Sequence, residues 1–239
     1  MDMEAFLTLH KDLPREGPGA PEDVAWACAL AGLAADAVIC DAGSGPGGDV
    51  PALLAAAPSG RVVAVDAYFG AAADARFAED PRVRGDTADM AHLDRLPEAP
   101  FDLIWCAGAL YFLGLENGLA AMARALKPGG VLAFSEPARF VDAPDPAAEA
   151  IFEGYPLRRP EEIAAVTVGA GYEVLGQRKV PDAGWEAYFG PIEARVAELR
   201  PGADENLTVV LDEALAEAAA WRVHRDAIGY VLTVARRGA

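Results

Sequence analysis

Val38-Ile39-Cys40-Asp41-Ala42-Gly43-Ser44-Gly45-Pro46-Gly47-Gly48-Asp49 is the stretch around which this chain is organised. An apolar, β-prone run meets a glycine-dense turn, and an alanine-rich helical segment leaves it. Glycines suit such a turn because its backbone takes positive φ angles and approaches a ligand with no Cβ in the way. Pro51 is tolerated only in a helix's first turn, so the helix is expected to begin no earlier than about Gly48, bringing helix-start N–H groups to the glycines. The pattern predicts a nucleotide-like ligand over the turn and a second molecule beside it.

Residues Met1–Ala20 carry Pro14, Gly17, Pro18 and Gly19 and read as mostly irregular. Pro21-Glu22-Asp23 opens a helix, with stripes Val24/Cys28/Ala31 and Trp26/Leu30/Leu33 that predict burial on both sides. Ala37–Ala42 is the first strand; Arg61–Asp66, an unbroken apolar run ending in an acid, has the pattern of a central parallel strand. Gly70–Glu79 is a short helix, Val83–Asp86 an edge-like third strand and Phe101–Ala107 the fourth. Leu119, Met122, Ala123 and Leu126 recur at helical spacing until Lys127-Pro128-Gly129-Gly130; Val131–Ser135 is the fifth strand, closed by Glu136-Pro137. A helix from Pro160 to Gly169 precedes a sixth strand, Tyr172–Val180. Helical spacing then runs from Trp185 to Leu199, interrupted by Gly190-Pro191, and from Asp204 to Arg225, before a last strand at Ile228–Ala235. Such alternation predicts an α/β, doubly wound, Rossmann-like sheet, whose ligands bind at the carboxyl ends of the strands. Gly43, Asp66, Asp86, Ala107 and Glu136 all fall at those ends.

Gly43, Gly45 and Gly48 satisfy G-x-G-x-x-G, and Asp66 would serve a ribose, so a dinucleotide ligand and a nicotinamide-dependent oxidoreductase remain open on the turn alone. Asp41, however, stands where dinucleotide binders usually keep an apolar residue. Asp41-x-Gly43-x-Gly45-x-Gly47, the Gly85-Asp86 pair and Leu126-Lys127-Pro128-Gly129-Gly130 together resemble the class I S-adenosylmethionine-dependent methyltransferases, over essentially the whole chain. Gly17–Glu22, Gly108–Tyr111 and Trp185–Pro191 are similar to stretches of a bacterial, type-11-like subgroup of small-molecule enzymes.

The resemblance implies a seven-stranded sheet of order 3-2-1-4-5-7-6 with the last strand antiparallel. It implies one domain over 1–239, with an N-terminal cap and helix over 1–36. The chain departs from the family in a long helical insert over 181–227 between the last two strands, where many relatives have a tight hairpin, and this insert is expected to cover the acceptor site. Its cofactor would be S-adenosylmethionine, leaving as S-adenosylhomocysteine. Asp41, Gly43, Ser44, Gly45 and Gly47 would meet the methionine part of that cofactor, Asp66 with Ala67 the ribose, Asp86 with Thr87 the adenine, and Ala107 with Gly108 the methionine and the acceptor. A non-catalytic protein that merely binds the cofactor is the third reading.

In-line attack on a sulfonium carbon needs positioning first, and a base only where the acceptor is a hydroxyl or a protonated amine. Glu136 is the candidate base, Tyr111 a candidate acceptor contact and His10 a candidate cap on the pocket. Each also has a structural reading: a loop acid, a core aromatic, an exposed imidazole. Tyr155, Trp185 and Tyr188 read as packing groups, or as the walls of an aromatic acceptor cavity that would suit a cation.

The net charge of −17, from 20 basic and 37 acidic residues, argues against nucleic acid as a partner. Cys28, Cys40 and Cys106 are dispersed in apolar stretches, and the three histidines are scattered, so no metal site is expected. The absence of a long apolar run and of a basic leader predicts a cytoplasmic protein off the membrane. The resemblance implies a small-molecule acceptor, and the chain is expected as a monomer or a homodimer.

Overall fold

The apolar runs of the first half fold as parallel strands because their side chains, pointing alternately to the two sides, meet a helical layer on each. The computed structural model describes residues 2–238. The first half runs α1 (Met3–His10), α2 (Pro21–Ala31), β1 (Val38–Ala42), α3 (Val50–Ala56), β2 (Arg61–Asp66), α4 (Gly70–Arg76), β3 (Val83–Thr87) and β4 (Phe101–Cys106). The second half runs α5 (Leu115–Ala125), β5 (Leu126–Arg139), α6 (Pro146–Ala150), α7 (Pro160–Gly169), β6 (Tyr172–Lys179), α8 (Asp182–Leu199), α9 (Glu205–His224) and β7 (Ile228–Arg237). The sheet order is β3-β2-β1-β4-β5-β7-β6, as expected, with β7 antiparallel to both β5 and β6. Strand order reverses between β1 and β4, which are directly paired and parallel.

Ile39 of β1 packs with α2 and α3 on one face, while Cys40 and Ala42 pack with α5 on the other. Three tryptophans, Trp105, Trp185 and Trp221, are buried on the first face. The insert helices α8 and α9 stand between β6 and β7, and with α1 they enclose a third, smaller core of Leu9, Leu13, Ile192, Val196, Val210 and Leu211.

Four expectations need correcting. Residues 3–10 are helical rather than irregular: the Asp2 carboxylate caps the N–H groups of Glu4 and Ala5 at 3.0 and 3.1 Å, and Ala5 and Leu9 are buried against α8 and α9. Gly190-Pro191 does not interrupt α8, because the buried stripe Trp185, Phe189, Ile192 and Val196 continues across it. Burial of roughly 1.5–3 kcal/mol per large side chain outweighs an interior proline's cost of about 3 kcal/mol. The α4 helix stops at Arg76 instead of Glu79. Finally, β5 runs on through Glu136-Pro137 to Arg139, because β7 continues the ladder as far as Arg139 opposite Ile228. Pro137 lies beyond the last residue paired with β4, where β5 has one ladder to keep instead of two.

This lengthening changes Glu136 from a strand-closing acid to a fully buried one. Its Oε1 accepts a hydrogen bond from the Tyr155 hydroxyl, while Oε2 has no partner among the described residues. Burial pushes the carboxyl up to about 7, against the opposing pull of the Tyr155 hydrogen bond and Arg158.

Leu9→Ala is expected to loosen α1 selectively. Hydrogen exchange should accelerate over residues 3–10 while β1 keeps its protection; unchanged exchange in α1 would show that Leu9 does not dock the helix. For Glu136, a pKa raised on folding means that the folded chain holds a proton the unfolded chain has released. Stability therefore falls as pH rises from the ordinary value of 4.5 to about 7. Glu136→Gln keeps an acceptor for Tyr155 and should stabilise the protein by on the order of 3 kcal/mol above pH 7, the gap closing toward pH 4.5. Thermal melts at a series of pH values check this, and a gap independent of pH would contradict it.

Candidate active site

The glycine turn is held by the end of β2. The N–H groups of Gly43 and Ser44 donate to the Val65 carbonyl at 2.8 and 3.1 Å, and the N–H of Gly45 donates to Asp66 Oδ2 at 2.9 Å. Asp66 Oδ1 accepts from Tyr68 and Phe69 at 2.8 and 3.0 Å, so one carboxylate ties two loops together. Two glycines are obligatory. At Gly43, with φ of 71°, a Cβ would stand 2.3 Å from that of Ala109. At Gly45, with φ of 52°, it would stand 2.9 Å from Glu16 Cγ. The helix after the turn begins at Val50.

Asp41 is 2% exposed, and its Oδ2 has no partner among the described residues. Burial raises its carboxyl well above the usual range, with repulsion from Asp49 and Asp66 adding and Arg15 opposing. Asp49 accepts from the Trp105 indole at 2.9 Å and from Arg15 at 3.0 Å, which ties the N-terminal loop to the turn. Across the sheet, the N–H of Gly108 donates to Ser135 Oγ at 2.7 Å.

These groups border a cavity of about 1310 Å³. Of the residues singled out in the sequence, Asp41, Gly43, Ser44, Gly45, Asp66, Ala67, Thr87, Ala107, Gly108, Tyr111 and His10 line it. Gly47 does not, and neither does Asp86, whose carboxylate is turned to Arg84 at 2.6 Å; Thr87, Ala88, Asp89 and Met90 form the wall there instead. Arg84 and Asp86 share a strand face two residues apart, a pairing that Gly85-Asp86 alone does not disclose.

Glu136 is also absent from the wall, packed behind Tyr155, whose ring lies 5.6 Å from that of Tyr111. His10 is buried, not exposed: its Nδ1 pairs with Glu16 Oε2 and its ring stacks on Phe6 at 4.0 Å. Trp185 belongs to the core, stacked at 5.0 Å on Trp221 and 5.1 Å on Tyr230, whereas Tyr188 lines the cavity.

The sequence reading missed Arg15, Glu16, Asp49, Asp89, Glu153, Glu213 and Glu217, all on the wall. A signal existed for two of them: Glu213 and Glu217 are four apart in a helix, on one face with Val210 and Ala214. Burial raises the Glu217 carboxyl, with His10 opposing and Glu153 adding. Among the described residues there is no cluster of His, Cys, Asp or Glu suited to a metal ion, and no helix long and apolar enough to cross a membrane.

Residues 39–130 match the methyltransferase domain family. Over 106 residues, 44% of this chain, the sequence is 38% identical to trans-aconitate 2-methyltransferase of Methylobacterium nodulans. The aligned part spans 40% of that protein, and 24% of a second curated relative from Synechococcus. The structure resembles S-adenosylmethionine-dependent methyltransferases from Thiobacillus denitrificans (TM-score 0.80, 20% identity, 96% of each chain) and Geobacter sulfurreducens (0.81, 20%, 97% of each), both solved with S-adenosylhomocysteine. Glycine turn, strand order and comparisons agree: the chain has the class I methyltransferase fold, and residues 39–130 match the methyltransferase domain family.

Proposed function

We propose that this chain transfers a methyl group from S-adenosylmethionine to a small molecule held in the same cavity. The observation that carries this reading is Asp41: a buried carboxylate with an unpartnered oxygen, on the cavity wall beside the glycine turn and at the point where strand order reverses. A buried acid in that state calls for a cationic or hydrogen-bond-donating ligand group, and the amino group of a methionine moiety is one. A dinucleotide offers no such cation at that end. The volume of about 1310 Å³ exceeds the roughly 300–1,000 Å³ of a single-ligand pocket, leaving room for donor and acceptor together.

Each group then has a task. Asp66, held by three backbone N–H groups, presents its carboxylate to a ribose diol. Thr87, Ala88, Asp89 and Met90 surround the base, and Ala107 and Gly108 lie where methionine and acceptor meet. The donor supplies a methyl group on a positively charged sulfur; as the acceptor's lone pair forms the new bond, the electrons of the carbon–sulfur bond return to sulfur. The chain's work is to orient the partners and exclude water, worth up to roughly 7–11 kcal/mol for well-placed reactants. The segments 1–36 and 181–227 cover the acceptor half, through α1, Glu16, Tyr188 and the cavity face of α9.

The acceptor of the Methylobacterium relative, trans-aconitate, carries three carboxylates, and we do not extend it to this chain. At an effective dielectric constant of about 20, each carboxylate brought to about 5 Å from a wall acid costs roughly 3 kcal/mol.

Asp66→Ala is expected to weaken S-adenosylhomocysteine binding at least tenfold in a calorimetric titration, with the thermal melt showing a folded chain. Unaltered affinity would reject the ribose assignment.

A further inference from the structure

The half of the cavity away from the glycine turn is acidic and has no free counter-charge. Glu153, Glu213 and Glu217 line it together with Tyr111 and Tyr188, and none of the three glutamates has a side-chain hydrogen bond or ion pair among the described residues. Glu217, Glu153, Tyr111 and Tyr188 are close enough to feel one another's charge. The cavity's basic side chains are both engaged: Arg15 with Asp49 at 3.0 Å, and the His10 ring with Glu16.

One buried atom points the same way: Glu16 spends one oxygen on His10 and leaves Oε1 buried without a partner among the described residues. Buried carboxylate oxygens left open on a cavity wall are stabilised by a donor or cation from a ligand and destabilised by an anion. The tyrosine faces add a second attraction for a positive group, since an aromatic ring is electron-rich over its plane. Ile151, Val210 and Ala214 supply apolar wall for the rest of such a molecule.

We infer that the acceptor is an amphipathic small molecule bearing a cationic nitrogen, received by Glu217 with Glu153 beside it and flanked by Tyr111 and Tyr188. This rests on the methyl-donor reading, which assigns the glycine-turn half to the donor and so leaves this half to the acceptor. It concerns recognition of the cation and not which atom is methylated. The donor's own charge is not what the acids serve, because the glutamates are on α9 and beyond α6, while Asp41 stands at the donor's end.

The test uses the full chain and two probes of like size and opposite charge, 2-phenylethylamine and 3-phenylpropionate, titrated by calorimetry with and without saturating S-adenosylhomocysteine. The amine should bind at least tenfold more tightly than the carboxylate in both conditions. Glu217→Gln should weaken the amine tenfold or more, Glu153→Gln less, with S-adenosylhomocysteine affinity and melting temperature held. The inference is overturned by a carboxylate that binds as well as the amine, by amine affinity unchanged in both variants, or by no measurable binding of either probe. Failure of wild-type protein to bind S-adenosylhomocysteine would instead sink the methyl-donor reading, while the probe comparison in its absence still decides the charge preference of the chamber.

Discussion

Asp66 is the residue on which the site hangs. A turn rich in glycine has many conformations to lose, and each backbone residue fixed costs roughly 1–2 kcal/mol in entropy. This turn is fixed from outside: Val65 and Asp66 at the end of β2 take the N–H groups of Gly43, Ser44 and Gly45, and the same carboxylate fixes Tyr68 and Phe69. The carboxyl ends of β1 and β2 are thereby made into one rigid rim. Ligand-facing geometry at this rim depends on parallel pairing that levels Ala42 with Val65. A change that slips that register would move Asp66 out of reach of Gly45 before it disturbed any group on the cavity wall.

Charge is the second constraint. Many acids line the cavity: Asp41, Asp49, Asp66 and Asp89 at the strand ends, Glu16 against Gly45, and Glu153, Glu213 and Glu217 on the far wall. Crowding of this kind raises the energy of the empty site, and Asp41 shows it as a carboxyl displaced upward by burial and further by repulsion from Asp49 and Asp66. Arg15 relieves part of it through Asp49 and at the same time secures the N-terminal loop. The remaining repulsion is available to a cationic ligand as affinity, because bringing in positive charge restores the ionised state that burial disfavours.

What the sequence discloses and what it conceals divide along the same physical line. The parallel strands are legible because burial on both faces leaves unbroken apolar runs, and Asp66 is legible because an acid ending such a run has a reason to be there. Helix α1 is concealed because its apolar face, Ala5 and Leu9, finds its partners in α8 and α9, nearly the whole chain away. The extent of β5 is concealed because its second ladder comes from β7 and not from anything near Glu136. Asp86 misleads because Gly85-Asp86 fixes a position at the strand end but not a side-chain direction, and Arg84 takes the carboxylate away from the cavity. Glu213 and Glu217 carry a helical spacing that reads as a solvated face until the cavity beneath it is known.

The same division explains why sequence and structure comparisons reach different distances. The matched residues 39–130 contain the glycine turn, Asp66, Thr87 and Gly108, so the glycine-turn half of the cavity is built from segments close together in the chain. The other half is assembled from Tyr111, from the segment around Glu153, and from Tyr188 and α9, with His10, Arg15 and Glu16 of the N-terminal segment bridging it to the turn. Its walls converge only once β7 has closed the sheet. Small changes in any of those distant segments alter the chamber without disturbing the strands, which is how a fold shared across 96% of two chains can coexist with 20% identity. On the proposed methyl-transfer reading, acceptor choice would rest with the insert helices and the N-terminal cap, where Glu217 stands on the cavity wall far in sequence from the glycine turn.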